Sequence, residues 1–171
     1  MQRKKLQWLM VGSLALVPGP ITAQSGVVVL GTPCRLVDTR GTGERTGILE
    51  PDSDRFFSLS EEGLTAGQGG DTECTGLPTG GGNTNWLVNI TVTGFSANGA
   101  LTVWSHGFSQ PNTSVINYSA GHEPSVANGL ILKGCVDLCV PGCTACFGRD
   151  IYVKALGSPT HVIIDVMGYL P

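Results

Sequence analysis

The feature that most restricts the fold of this chain is a two-residue alternation of apolar and polar side chains between Asn85 and Gly107. Four apolar residues of its first run share one face: Trp86, Val88, Ile90 and Val92. Leu101 and Val103 repeat the pattern in a second run. A period of two is typical of β-strands with one buried face. Because Asn98-Gly99 favours a tight reversal between the runs, the stretch predicts a β-hairpin.

The composition favours β structure in the rest of the chain as well. Only 13% of the residues are charged, and 25 are glycine. Further strands are predicted at 27–30, 34–40, 56–59, 115–118, 130–132, 150–156 and 161–170, with a reversal bracketed by Glu123-Pro124 and Asn128-Gly129. Residues 24–171, about 150 in number, are ample for one domain and few for two.

The N-terminus has the pattern of a secretory signal peptide. A basic segment, Gln2–Lys5, precedes a short apolar run, Leu6–Val17, which is too short to span a bilayer comfortably. Ala23 is a small residue at which a signal peptidase would cut. We therefore expect a signal peptide at residues 1–23 and release of the protein outside the cell, without a transmembrane segment. A retained anchor is the alternative, because Ile21 is bulky for its place near the cleavage site.

Charge excludes two classes of partner. Cleavage after Ala23 removes three basic residues, which leaves seven basic against thirteen acidic residues and a net charge near −6. An acidic surface repels phosphate groups, and no cluster of Lys or Arg follows residue 5. Nucleic acid and anionic membranes are therefore poor candidate partners.

Six cysteines in an exported chain predict disulfide bonds. Cys34 and Cys74 stand apart, whereas Cys135, Cys139, Cys143 and Cys146 crowd into an insert at 134–148. Two local disulfides that staple a hairpin are the favoured reading of the four clustered cysteines, with a tetrahedral zinc site as the minor alternative. The acidic loops match no complete calcium-binding pattern. No cofactor is predicted.

Charged residues form a second group near the start of the mature chain. Arg35, Asp38 and Arg40 are close enough in sequence to form ion pairs. Asp165 lies in a strand that is apolar on both faces and therefore needs a partner, for which an arginine of the 35–40 segment is the candidate. We expect a structural ion-pair cluster; a catalytic role for Asp38 beside the arginines is the alternative.

Seven motifs together resemble one family of exported bacterial domains. The segment TPCRLVDTR (32–40) is similar to its opening TPCRxxDTR, and CTGLP (74–78) to its CGIP element with one additional residue. Further similar segments are WLVNITV (86–92), GALTV (99–103), SVINYSAG (114–121), ANG (127–129) and HVIIDVMGYL (161–170). The resemblance covers residues 32–170, nearly the whole mature chain.

The family has no assigned function, so the resemblance carries structural expectations. It implies a β-sandwich in which the first and last strands are adjacent, and it suggests a Cys34–Cys74 disulfide. The fold class expected is all-β: an antiparallel, jelly-roll-like β-sandwich. The four-cysteine insert departs from the family pattern.

Several features argue against an enzyme. No G-x-S-x-G nucleophile motif is present, and His106, His122 and His161 show no metal-ligand spacing. Asp38 and Asp165 would be a carboxylate pair of the glycosidase kind, but neighbouring arginines would hold both ionised. We expect a non-enzymatic protein, with a hydrolase as the least favoured alternative.

A binding face is the functional expectation. If Leu101 and Val103 face the core, Trp104 and His106 lie on the opposite face, where Tyr118 and Tyr152 would join them. Exposed aromatic side chains of this kind bind sugars in many extracellular domains; the alternative is that Trp104 belongs to the core. The sequence thus predicts a secreted or cell-surface domain that binds extracellular polysaccharide or protein. The competing prediction is a structural subunit of a surface layer or filament.

Overall fold

A computed structural model describes residues 26–60, 65–71, 73–78, 84–121, 124–134 and 149–171. These ranges form eight β-strands and no helix. The strands are β1 (Val28–Asp38), β2 (Asp54–Phe57), β3 (Asn85–Thr93), β4 (Gly99–Ser105), β5 (Ile116–Tyr118), β6 (Ser125–Lys133), β7 (Ile151–Leu156) and β8 (His161–Leu170).

The strands build two four-stranded antiparallel sheets, which confirms the predicted β-sandwich. The first sheet has the order β1-β8-β3-β6 and the second has the order β2-β7-β4-β5. Four of the six strand pairings join strands equally far from the two ends of the series: first with last, second with seventh, third with sixth, and fourth with fifth. The other two pairings, β3 with β8 and β4 with β7, join these pairs within each sheet. The chain is thus a long antiparallel ribbon wrapped across two sheets, as in a jelly roll.

The predicted hairpin between β3 and β4 is wrong, because the two strands belong to different sheets. Gly99 has no positive φ and lies within β4. A Cβ atom at Gly99 would collide with the ring of Tyr118, so the glycine is needed for close packing of this ring. Asn98 accepts hydrogen bonds through Oδ1 from Ser119 Oγ at 2.7 Å and from Ala120 N at 3.2 Å. The Asn-Gly pair therefore fastens the end of β5 instead of closing a hairpin.

The predicted alternation is confirmed in β3 and for the core-facing residues of β4, although Thr102 between them is buried as well. The four apolar residues of the first run, Trp86, Val88, Ile90 and Val92, are fully buried, and Leu101 and Val103 face the same core from the second sheet. Removing such side chains from water is the main favourable contribution to folding. In β8, Val162, Ile164 and Val166 add to this core. As predicted, β8 is a central strand, and it pairs with β1 on one side and β3 on the other.

The first strand is continuous through Pro33, where the sequence predicted an interruption. The pairing of β1 with β8 shifts register between Val29 and Cys34. Since β1 is an edge strand, the missing N–H of the proline is tolerated at this irregularity. The adjacency of the first and last strands, implied by the resemblance, is confirmed.

A loop covers part of the free edge of β1. Asp38 N donates to Gln68 O at 3.0 Å, and Asp71 N donates to Arg35 O at 2.7 Å. The disulfide between Cys34 and Cys74, which the resemblance suggested, joins the continuation of this loop to the same strand. The second half of the edge is thereby protected from pairing with another chain.

The reversal predicted between Glu123-Pro124 and Asn128-Gly129 is wrong, because the chain from Ser125 onward is one continuous strand. All nine residues of β6 pair with β3 in unbroken register, and Asn128 lies opposite Ile90. Asn128 Nδ2 donates to Val115 O at 2.9 Å, so its side chain ties β6 to the start of β5 across the sandwich.

Two predictions lie outside the described residues. They are the signal peptide at 1–23 and the disulfide or zinc alternatives for Cys135, Cys139, Cys143 and Cys146. Within the described ranges, no helix is present that has the length and hydropathy to cross a bilayer.

Candidate ligand-binding surface

A row of aromatic side chains crosses the outer face of the second sheet. Tyr152 of β7 lies opposite Phe56 of β2 on one side and opposite Trp104 of β4 on the other. Their strand neighbours Phe57 and Val153 are buried in the core. Because side chains alternate along a strand, Phe56, Tyr152 and Trp104 point away from the core. All three are partly exposed.

The rings of this row are in contact. The Trp104 and Tyr152 rings stack with centroids 5.5 Å apart and an angle of 13° between their planes. His106, two residues after Trp104, also stacks on Tyr152 at 5.6 Å, and Phe56 meets Tyr152 edge-on at 6.3 Å. Such pairs add stabilisation beyond the buried area. The cluster is thus an ordered aromatic surface, held in place by three adjacent strands.

Two arginines extend the aromatic row at β2. The guanidinium carbon of Arg149 lies 4.6 Å from the Phe56 ring centroid, and that of Arg45 lies 5.0 Å from it. Both distances are within the range of cation–π attraction. Arg45 Nη1 also donates to Gln68 Oε1 at 2.9 Å. We call Phe56, Trp104, His106, Tyr152, Arg45 and Arg149 together the aromatic–arginine surface.

The pKa of Arg45 is affected by burial and by two neighbouring charged residues. Burial lowers the pKa of the Arg45 guanidinium from its usual value; Glu44 opposes this shift, and Arg149 adds to it. Two cations are therefore near enough to repel one another across Phe56. Glu44, the residue before Arg45, attracts its guanidinium electrostatically.

The structure brings together three of the four aromatic-face residues predicted from the sequence. Trp104, His106 and Tyr152 are in one cluster, but Tyr118 is not part of it. Tyr118 is 3% exposed, its ring packs 4.7 Å from the ring of Phe95, and its hydroxyl donates to Ser158 O at 2.6 Å. Burial raises the pKa of the Tyr118 hydroxyl. Its alternation in β5 turns Tyr118 toward the interior, so its assignment to the aromatic face was wrong.

Phe56, Arg45 and Arg149 were missed in the sequence. A signal for Phe56 was available, because a buried Phe57 in a strand requires the preceding side chain to face outward. No local pattern indicates the two arginines, which reach Phe56 from segments about a hundred residues apart along the chain. Their meeting depends on the pairing of β2 with β7.

The described ends of the cysteine-rich segment flank this surface. Ser105 Oγ, between Trp104 and His106 in sequence, donates to Lys133 O at the end of β6. Arg149 lies at the other end, directly before Asp150. Asp150 is buried, and its carboxylate accepts from Leu59 N at 2.6 Å and Ser60 N at 3.2 Å. Lys133 and Arg149, described residues on the two sides of segment 135–148, therefore both lie next to the aromatic–arginine surface.

The predicted ion-pair cluster lies at the first sheet, on the strand pair β1 and β8. Arg40 binds the Asp38 carboxylate through Nε at 2.8 Å and Nη2 at 2.6 Å, and Arg35 Nη1 lies 3.6 Å from it. Arg35 also binds Asp165 through Nε at 2.8 Å and Nη2 at 3.2 Å. The four residues form one continuous chain of alternating charge.

This arrangement makes Asp38 a poor general acid. The hydrogen bonds from Arg40 hold the pKa of the Asp38 carboxyl below its usual value, against the opposing effect of burial. A general acid needs a raised pKa to carry a proton near neutral pH. Nearby, His161 Nδ1 lies 3.2 Å from Thr39 Oγ1, which accepts from Val162 N at 2.8 Å. These contacts hold the end of β1 against the start of β8. The remaining histidine, His122, lies outside the described residues.

Comparison of the chain with family models, curated proteins and solved structures finds no match. Among the described residues, no group of three or more His, Cys, Asp or Glu side chains is arranged to hold a metal ion.

Proposed function

We propose that this protein is a non-enzymatic secreted or cell-surface domain that binds extracellular polysaccharide through its aromatic–arginine surface. The observation that carries this proposal is the stacked aromatic row across β2, β7 and β4, in which Trp104 stacks on Tyr152 at 5.5 Å. Sugar rings present apolar C–H faces and polar hydroxyl groups at their edges. A rigid aromatic surface with polar groups beside it matches both features.

The position of the rings supports a binding role over a packing role. Core side chains of the same sheet, such as Leu101 and Ile151, are fully buried, whereas Trp104, His106 and Tyr152 keep part of their surface in contact with water. Placing three aromatic side chains on an outer face contributes little to the core between the sheets. It provides a large and rigid contact area, because neighbouring rings restrict each other's motion.

The expected compartment agrees with this proposal. The Cys34–Cys74 disulfide is of a kind that forms and persists in oxidising surroundings outside the cytoplasm. Together with the expected signal peptide, it favours a role in contact with cell-wall or other extracellular material. A resemblance to exported bacterial domains points to the same location.

A direct test is the affinity of the secreted chain for purified cell-wall polysaccharides, compared between two variants. Trp104→Thr removes the largest ring and places a good strand former on the outer face. We expect at least about a thirtyfold loss of affinity, the ratio that corresponds to about 2 kcal/mol for an aromatic anchor. Circular dichroism and thermal unfolding of the same samples establish that the variant is folded.

The matched control is Ile131→Ser, which removes an exposed apolar side chain from the outer face of the first sheet, where Ile131 is 68% exposed. Its affinity is expected to equal that of the wild type. Equal affinities for wild type and folded Trp104→Thr, or no binding of any polysaccharide, would refute the proposal. Binding to a cell-surface protein, with no binding to polysaccharide, would show that the ligand is a protein.

The second candidate function is a structural subunit of a surface layer or filament, and one observation favours it. The edge strand β1 exposes the β-branched residues Val28 and Val29 at its start, and Val27 directly before it is exposed too, beyond the part that the loop covers. Edge strands of this composition pair readily with another chain. Sedimentation of the wild type and of Val29→Lys tests it: oligomers that the lysine disperses would favour the structural role, and monomers in both samples would exclude assembly through this edge.

A further inference from the structure

Positive charge in this acidic protein is concentrated beside the aromatic row. Seven Lys and Arg follow residue 5: Arg35, Arg40, Arg45, Arg55, Lys133, Arg149 and Lys154. Arg35 and Arg40 are neutralised by Asp38 and Asp165 at the first sheet. Arg55 is directed inward along the edge of β2, where it donates to the carbonyl oxygens of residues 46–48 at 2.9–3.1 Å. The remaining cations include both arginines of the aromatic–arginine surface.

Among the described residues, Arg149 is held in place without a carboxylate partner. Its guanidinium stacks on Phe56 at 4.6 Å, and it forms no ion pair with the carboxylates of the described ranges. The neighbouring Asp150 carboxylate points into the molecule, toward Leu59 N and Ser60 N. A guanidinium stacked on a ring keeps its in-plane N–H donors available for a planar acceptor.

A second cation near Phe56 makes the binding of an anion beside Arg149 more favourable. The Arg45 guanidinium carbon lies 5.0 Å from the centroid of the same ring, and the positive charges of the two arginines repel each other. The negative charge of Glu44, an exposed residue of the adjoining loop, offsets part of this repulsion. A carboxylate of a bound ligand would relieve the repulsion and pair with Arg149 in the bidentate geometry that guanidinium groups favour.

We propose that the polysaccharide bound by the aromatic–arginine surface is an acidic one, whose carboxylate contacts Arg149 while its sugar rings lie against Trp104 and Tyr152. This inference rests on the proposed function and narrows its ligand class. The net negative charge of the protein does not oppose it, because fields are screened beyond roughly 10 Å at moderate salt and the local charge decides. A further cation, Lys154, lies on the same outer face, two residues after Tyr152 in β7 and opposite Thr102 of β4 and Asp54 of β2.

The experiment compares polygalacturonate with its fully methyl-esterified form, which has the same backbone without charge. Titration calorimetry of the full secreted chain is expected to show at least about tenfold tighter binding of the acid form, and a weaker preference at high salt. Dextran sulfate with neutral dextran forms a second arm that distinguishes a carboxylate site from a site for any polyanion.

Arg149→Gln identifies the residue responsible. The variant is expected to lose about tenfold to a hundredfold in affinity for polygalacturonate, the range for a charge-assisted hydrogen-bonded pair, and to bind the methyl ester as the wild type does. Arg40→Gln is the matched control, because it removes the same charge from the other sheet, and its affinity for both polymers is expected to be unchanged.

The outcomes separate this inference from the proposed function. Equal binding of both polymers, abolished by Trp104→Thr and unchanged by Arg149→Gln, would overturn the acidic ligand and keep the polysaccharide surface. Preference for dextran sulfate over polygalacturonate would overturn the carboxylate. Absence of binding to every polymer, in wild type and variants alike, would overturn both proposals together.

Discussion

The outer faces of the two sheets use the same kinds of charged residue in opposite ways. At the first sheet, Arg35 and Arg40 are each bound to a carboxylate, with the shortest contact at 2.6 Å between Arg40 and Asp38. At the second sheet, Arg149 stacks on Phe56 beside Arg45, and no described carboxylate pairs with it. The arginines and carboxylates of the first sheet neutralise one another, and their role is to hold strands in register. The stacked Arg149 has no ion pair with a described carboxylate, so its hydrogen-bonding capacity can serve a ligand.

A structural charge is thus distinguished from a functional one by its partner in the fold and not by its sequence motif. A motif rich in Arg and Asp attracts attention in the sequence, yet its side chains satisfy one another in the fold. The arginine that remains available has no motif around it.

The largest effect on stability is expected from the disulfide beside the first sheet. Replacement of both Cys34 and Cys74 by alanine removes a link between residues 40 positions apart. On the chain-entropy model, this loss lowers the free energy of unfolding by about 4 kcal/mol. Chemical denaturation of the secreted protein measures it. The polysaccharide affinity of the folded fraction is expected to stay unchanged. A loss of affinity comparable to that of Trp104→Thr would contradict the assignment of ligand binding to the second sheet alone.

A smaller loss is expected when Asp38 is neutralised. Asp38→Asn leaves Arg40 and Arg35 without their shared carboxylate and lowers the free energy of unfolding by about 1–3 kcal/mol, a range reduced for the exposure of both arginines. Asp54→Asn, at an exposed site on β2, is the control and is expected to change it by less than about 0.5 kcal/mol. Equal stability of the two variants would show that the ion-pair cluster does not hold the first sheet together.

The same carboxyl group makes stability depend on pH in the acid range. Hydrogen bonds from Arg40 hold the folded-state pKa of Asp38 below its usual value of 3.8. The unfolded chain therefore takes up the proton first, so the contribution is complete above pH 3.8 and is lost as the pH falls through the folded-state pKa. The difference in unfolding free energy between wild type and Asp38→Asn is expected to shrink over that interval. A constant difference from neutral pH to below this interval would contradict the assigned cause.

The smallest effect marks the boundary of the binding face. Tyr118→Phe removes a hydroxyl that donates to Ser158 O and is expected to cost about 1 kcal/mol of stability. Because Tyr118 packs in the interior against Phe95, its loss should leave polysaccharide affinity unchanged. A drop in affinity without a drop in stability would return Tyr118 to the ligand-binding face.

The strands were predictable where the period of two coincides with burial on one face only. Trp86 to Val92 in β3 satisfies this condition. The strand β8 was predictable from its longer apolar run, although Ile163 on its other face is buried as well, and both strands are found where the sequence places them. The turn between β3 and β4 was not predictable, because Asn98-Gly99 has the local chemistry of a hairpin. Packing of Tyr118 over Gly99 and the pairing of β4 with β7 outweigh that preference.

The candidate site was predictable only in part, for a related reason. Trp104 and His106 follow from alternation within a single strand, and Tyr152 follows from its place in β7. Phe56, Arg45 and Arg149 join them through the pairing of β2 with β7, which is a contact between distant parts of the chain. Local periodicity gives the face on which a side chain lies, but it does not give the neighbouring strand.

The most direct test of the central claim is a nuclear magnetic resonance titration of the isotope-labelled secreted chain with an oligosaccharide that it binds. Amide signals of Phe56, Tyr152 and Trp104, together with the Trp104 indole Nε1–H signal, are expected to shift, while those of β1 and β6 stay in place. Shifts confined to the first sheet, around Arg35 and Asp165 or along β6, would contradict the account and assign binding to the opposite face.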